Sequence, residues 1–134
     1  MIRLLFLPVV FSLQLNTSLP FFPYTNDLFS EDSQISPLIV RHSHFSQTFR
    51  LGYKLILSCE AEGNPRPTII WYKNGAEIIP FKTIHIRDRL LSLTRIRSFL
   101  DIDPTSLSDK ATYGCLASNP NGFHLKSIKA SYVY

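Results

Sequence analysis

From Pro37 onward the chain alternates between apolar and polar positions. In residues 53–61, "YKLILSCEA", Leu55, Leu57 and Cys59 fall on one face of an extended strand. Lys54 and Ser58 fall on the other, and Ile56 breaks its polarity. A period of two is the signature of a half-buried strand. "TIIWYK", residues 68–73, places Ile69 and Trp71 on one face in the same way. "PLIV", residues 37–40, is a short apolar run behind a proline and suits an edge strand. "AEII", "TIHIR", "SFLDI", "TYGCLAS" and "FHLKSIKASYVY" read as further short strands. Turn chemistry separates them: "GNPRP" at 63–67, Asn74-Gly75, and "NPNG" at 119–122. Asn-Gly in particular signals a two-residue hairpin turn. Short strands recurring with turns between them predict an all-β antiparallel sandwich of seven to nine strands.

The N-terminus breaks this pattern. "MIRLLFLPVVFSLQLNTS" has Arg3 and then an apolar run from Leu4 to Leu15. Residues 1–18 are therefore expected to be a secretory signal, too short for the roughly 20 residues of a membrane span. Residues 19–36 form an N-terminal extension without a period. Its Phe21, Phe22, Tyr24, Leu28 and Phe29 are too apolar for a solvated tail and are expected to pack on the domain or on a partner. No later run crosses a bilayer, and "KSIKASYVY" is too short and too charged for a lipid-anchor tail. A soluble, secreted, extracellular protein follows, in a compartment where a cysteine pair oxidises.

A length of 134 residues fits one domain, placed at 37–134. The net charge of +4 is too small, without a basic motif, to argue for nucleic acid.

Only Cys59 and Cys115 are present. A metal site, a reactive thiol and a staple are the uses to weigh. Trp71 follows the first cysteine by twelve positions, and Tyr113 precedes the second by two. This Cys…Trp…Tyr-x-Cys framework resembles an immunoglobulin domain. "GNPRPTIIWYKNGAEI", "FRLG" at 49–52, "LDI" at 100–102 and "DKATYGCLASNPNG" resemble the intermediate set of that family, with Ala111 in the usual glycine place. The resemblance implies a Greek-key sandwich with a Cys59–Cys115 disulfide between its sheets. It implies that the Trp71 indole packs against the bridge and that the Tyr113 hydroxyl bonds back to backbone near Asp109. Leu57, Leu100 and Ile102 complete the expected core. Neither cysteine has a Cys or His within five residues, which argues against a metal site. The chain departs from the family pattern in two places. Thr105 stands where a branched apolar residue is usual, with Leu107 expected to fill the gap. A long basic stretch, "RDRLLSLTRIR" at 87–97, also lies between the strands read at "TIHIR" and "LDI".

"LGYKLILSCEAEGNPRP" and "DPTSLSDKATYGCLASNPNG" further resemble the small secreted one- and two-immunoglobulin-domain proteins of nematodes, which act around neurons. This implies a non-catalytic recognition role at neuronal or synaptic surfaces. The implied partner is an extracellular or cell-surface protein, including another immunoglobulin-domain protein. The implied partner face lies on the strands that hold Trp71 and Cys115 and on the last strand, with Ile70, Tyr72, Gly114 and Leu116 pointing outward. The alternative for that cluster is cover by Phe21, Phe22 and Phe29.

Other chemistry is thin. His42, His44, His85 and His124 read as surface histidines, since a structural zinc site needs four ligands. No nucleophile elbow, phosphate-cradling loop or carboxylate pair points to catalysis, and no cofactor or metal is expected. Asp101 and Asp103 read as solvated strand polarity. Arg87, Arg89, Arg95 and Arg97, with Lys82 nearby, offer a patch for heparan sulfate; the alternative is a solvated edge with one arginine paired to Asp109. Asn16 heads an N-x-S/T sequon that counts only if signal cleavage leaves it in place.

Overall fold

Side-chain alternation becomes nine strands in the computed structural model, which describes residues Gln34–Tyr134. The expected signal at 1–18, the sequon at Asn16 and most of the expected extension at 19–36 lie outside the described residues. The strands are β1 (Ile35–His42), β2 (Ser46–Arg50), β3 (Leu55–Asn64), β4 (Thr68–Lys73), β5 (Ala76–Glu77), β6 (Ile84–Leu90), β7 (Arg95–Ile102), β8 (Ala111–Asn119) and β9 (Gly122–Val133). Four form one sheet in the order β1-β3-β7-β6, and five form the other in the order β2-β9-β8-β4-β5. All pairs are antiparallel except β2–β9. The result is a two-sheet immunoglobulin-like sandwich.

Apolar positions at spacing two face the gap between the sheets. Leu55, Leu57, Cys59 and Ala61 of β3 meet Ile96, Leu100 and Ile102 of β7 from one side. Ile69 and Trp71 of β4, Tyr113, Cys115 and Ala117 of β8, and Ile128 and Ala130 of β9 close it from the other. Cys59 and Cys115 form a disulfide across this gap, with Cα atoms 6.5 Å apart. Burying each large apolar side chain stabilises the fold by roughly 1.5–3 kcal/mol.

Turns follow their sequence signals. Asn74 and Gly75 both take positive φ, 49° and 86°, as a two-residue hairpin turn requires. Gly63 of "GNPRP" is needed for space: a Cβ there would lie 3.1 Å from both Asn119 Nδ2 and Pro67 Cγ. The "NPNG" turn holds the entry of β1, since the Asn119 amide donates to the carbonyls of Ile35 and Pro65, each at 2.8 Å.

Three expectations need correcting. Leu107 does not fill the place of a core residue; it is 58 % exposed on a 3-10 turn, Leu107–Asp109. Thr105 itself stays inside, with its hydroxyl 2.9 Å from the Arg50 carbonyl and 2.8 Å from that of Tyr53. A hydroxyl is buried at little cost once its hydrogen bond is made. Second, the basic stretch is not a connection between two strands but the strands themselves. "RIRSFLDI" alternates, sending Arg95, Arg97, Phe99 and Asp101 outward and Ile96, Ser98, Leu100 and Ile102 inward. Third, "AEII" yields only the two residues of β5.

Candidate functional site

Among the described residues no group of three or more His, Cys, Asp or Glu side chains could hold a metal ion. The candidate surfaces are the outer faces of the two sheets.

On the five-stranded sheet, Trp71 and Cys115 are buried opposite one another, so their strand neighbours face out. Pairing brings the four predicted residues together: Ile70 lies opposite Leu116, and Tyr72 opposite Gly114. The next strand extends both rows, with Leu125 opposite Leu116 and Ser127 opposite Gly114. Gly114 leaves a gap where a side chain would stand; a Cβ there would come to 3.4 Å from Leu125 Cδ1 and 3.5 Å from Tyr72 Cβ. The outcome is an open hollow of about 520 Å³ lined by Tyr72, Gly114, Leu116 and Leu125, with Thr112 and Ser127 as polar neighbours. Leu125, 53 % exposed, was missed from the sequence, although "FHLKSIKA" alternates and sends Phe123, Leu125 and Ser127 outward.

The four-stranded sheet carries the arginines. Across the strands, Arg41, Glu60, Arg97 and Arg89 form one row, and Ser58, Phe99 and Arg87 the next. Glu62 lies opposite Arg95, and Asp101 opposite His85. Arg95 is held by hydrogen bonds to Glu62 and to the buried carboxylate of Glu60, the latter at 3.1 Å. The bond to Glu62 is the main reason its guanidinium titrates above the ordinary arginine range. Arg87 and Arg97 both stack over Phe99, with Cζ 4.8 and 5.0 Å from the ring centroid. Their nearest carboxylate contacts are long, 4.0 Å to Asp101 and 3.9 Å to Glu60. Lys82 stands apart, in the turn before β6 over the Phe81 ring. Asp101 is not simply solvated, since its Oδ1 is buried without a hydrogen bond.

Among the described residues Asp109 pairs with no arginine. Lys73 takes that place at 3.9 Å, while Asp109 Oδ2 accepts the Ser106 N–H at 2.7 Å. The Tyr113 hydroxyl donates to the Asp109 carbonyl at 2.6 Å. Burial pushes that hydroxyl well above the usual tyrosine range, and the Asp109 carboxylate adds to the shift. His42 and His44 are exposed and bond only to nearby backbone, whereas the His124 ring accepts the Ile39 N–H at 2.8 Å.

The family model described as immunoglobulin domain matches residues 37–119. The chain is similar to immunoglobulin domain-containing protein oig-4 of Caenorhabditis elegans, 50 % identical over 99 residues, which are 74 % of this chain and 64 % of that protein. It is similar to oig-1 of the same organism, 45 % identical over 106 residues, 79 % of this chain and 77 % of that protein. The match to oig-4 thus spans just under two thirds of that relative's length. Among solved structures, the N-terminal eight immunoglobulin domains of Down Syndrome Cell Adhesion Molecule superpose with a TM-score of 0.69 at 25 % identity, covering 75 % of this chain and 13 % of that one. No helix among the described residues is long and apolar enough to cross a membrane.

Proposed function

Since the chain belongs to the immunoglobulin domain family, we propose that it is a secreted, non-catalytic recognition protein of neuronal or synaptic surfaces. Its partner in this reading is an extracellular or cell-surface protein, such as another immunoglobulin-domain protein. The observation that carries the reading is the hollow on the five-stranded sheet. Ile70, Leu116 and Leu125 line up across three strands, and Tyr72 flanks the gap above Gly114. Aromatic and apolar side chains around a recess, rimmed by hydroxyls, are the composition of interface centres. The strands are rigid, so the surface is already formed before a partner arrives and loses little entropy on binding. A projecting apolar side chain of the partner fits between Tyr72 and Leu125. Similarity to a molecule named for cell adhesion supports the surface role.

The test uses the full chain, tagged and expressed through the secretory route. It is expected in the medium with the N-terminal apolar leader removed, mass spectrometry of its N-terminus showing whether cleavage follows Ser12 or Ser18; retention inside the cell overturns secretion. Purified protein is then titrated onto neuronal cells beside Leu116→Arg. Placing a charge in the recess is expected to weaken saturable binding about 30-fold, as loss of a central interface residue does. Equal binding by Leu116→Arg at an unchanged melting temperature removes this face as the partner site.

A further inference from the structure

The outer face of the four-stranded sheet has chemistry unlike that of its counterpart and is not used by the reading above. We infer that it binds a sulfated polysaccharide, through Arg87, Arg89 and Arg97 with Arg41 at its margin. Five guanidiniums, of Arg41, Arg87, Arg89, Arg95 and Arg97, share this face with three carboxylates, of Glu60, Glu62 and Asp101. The carboxylates are unevenly spent. Arg95 takes hydrogen bonds from two of them. Arg87 and Arg97 are left with contacts of 4.0 and 3.9 Å, too long for hydrogen bonds. Among the described residues Arg41 and Arg89 have no carboxylate within 4.0 Å. Four guanidiniums on this face are therefore without a hydrogen-bonded carboxylate among the described residues.

Arg89 and Arg97 stand directly opposite each other on neighbouring strands. Like charges in that position destabilise a sheet, and an anion bridging them relieves the repulsion. Phe99 restrains two of the side chains, because Arg87 and Arg97 both lie over its ring. The restraint lowers the entropy lost when they grip a ligand. A guanidinium fork meets two oxygens of a sulfate at once, which an ammonium does not. The backbone positions of Arg97 and Arg89 are about 4.8 Å apart across the strands and those of Arg87 and Arg89 about 6.7 Å apart along β6, so the arginines form a row suited to anions repeated along a linear chain. Phe99 is covered by the guanidiniums and offers no open ring for a nucleobase to stack on, which disfavours single-stranded nucleic acid.

The test is retention of the full chain on immobilised heparin, with affinity measured against salt. Wild type is expected to need salt above the physiological ~0.15 M for elution. Arg87→Glu with Arg89→Glu is expected to weaken binding about tenfold or more and to flatten the salt slope, since fewer counterions are released. Lys126→Glu with Lys129→Glu on β9 makes the same change in net charge on the other sheet and is expected to bind as wild type does. Arg89→Glu alone touches no carboxylate and serves if the double variant does not fold. Equal losses from the two sheets mean diffuse attraction and overturn the site. So does unchanged retention of Arg89→Glu. Desulfated heparin is expected not to bind; if it or duplex DNA binds as well as heparin, the assignment to sulfate is wrong.

Discussion

The Trp71 indole N–H donates to the Ser98 hydroxyl 2.9 Å away, joining the two sheets where both residues are fully buried. Cys59 lies opposite Ser98 in one sheet, and Cys115 lies opposite Trp71 in the other. A disulfide and a hydrogen bond therefore cross the same gap side by side. Ser98→Ala leaves the indole N–H buried without a partner, which costs about 1–3 kcal/mol. Urea unfolding measures this. A loss near zero means that the indole finds another acceptor. Trp71→Ala adds a cavity and is expected to cost about 3–5 kcal/mol.

The neighbouring disulfide closes a separation of 56 residues. Restricting the unfolded chain over that length stabilises by roughly 4 kcal/mol on the chain-entropy estimate. Cys59→Ala with Cys115→Ala is expected to lose about 2–5 kcal/mol in thermal or urea melts and to lower secretion. Peptide mapping without reductant is expected to recover the Cys59–Cys115 pair from wild type; two free thiols there contradict it.

Tyr113 makes stability sensitive to alkali. Its folded pKa is raised above the ordinary value of 10.0 by burial and then by Asp109. The folded state thus holds its proton at a pH where the unfolded state has released one. The contribution is full below pH 10.0 and is lost as pH rises through the folded value. Between pH 9 and 11 the melting temperature of wild type should fall relative to that of Tyr113→Phe. At pH 7 wild type is expected to melt higher, because the variant lacks the bond to the Asp109 carbonyl, worth about 1 kcal/mol. Parallel pH profiles sink the argument.

Two glycines respond differently to the same substitution. At Gly63 an added methyl meets Asn119, Pro67 and the Pro37 backbone at 3.1–3.2 Å. Gly63→Ala is expected to cost about 1–3 kcal/mol through overpacking. At Gly114 the nearest atoms are side chains at 3.4 and 3.5 Å, an ordinary contact. Gly114→Ala is expected to change stability by less than about 1 kcal/mol while making the hollow shallower. Differential scanning calorimetry of both variants separates them.

Sequence carried the central frame further than the periphery. Cys59, Trp71, Tyr113 and Cys115 sit at spacings that resemble the framework of the immunoglobulin family, and Asn74-Gly75 admits little besides a tight turn. The resemblance therefore led directly to the sandwich and its disulfide. The four outward residues of β4 and β8 were legible because each neighbours a buried member of that frame. Leu125 and Phe123 were not, since their placement depends on the pairing of β9 with β8. Ser98 escaped notice for a similar reason: its partner is 27 positions away in the other sheet. "RDRLLSLTRIR" can be taken as a basic connection or as the ends of two strands, and only the β6–β7 register decides. Thr105 misled because the local pattern called for an apolar residue, whereas two backbone carbonyls made a hydroxyl acceptable.

The parallel pairing of β2 with β9, from Ser46↔Lys129 to Arg50↔Val133, has a mechanical consequence. The chain enters β1 at the end of the sandwich that holds Asn64 and leaves β9 at the opposite end. Tension between those ends slides β2 along β9 lengthwise. The ladder's hydrogen bonds then bear load together instead of opening one by one, and the domain resists extension until they fail at once. When they do fail, the link from Cys59 to Cys115 shields every strand between them from the pull. Only the segments outside that link can straighten. Under force the domain is a stiff tether whose stretch beyond its yield point is capped by the segments outside the link.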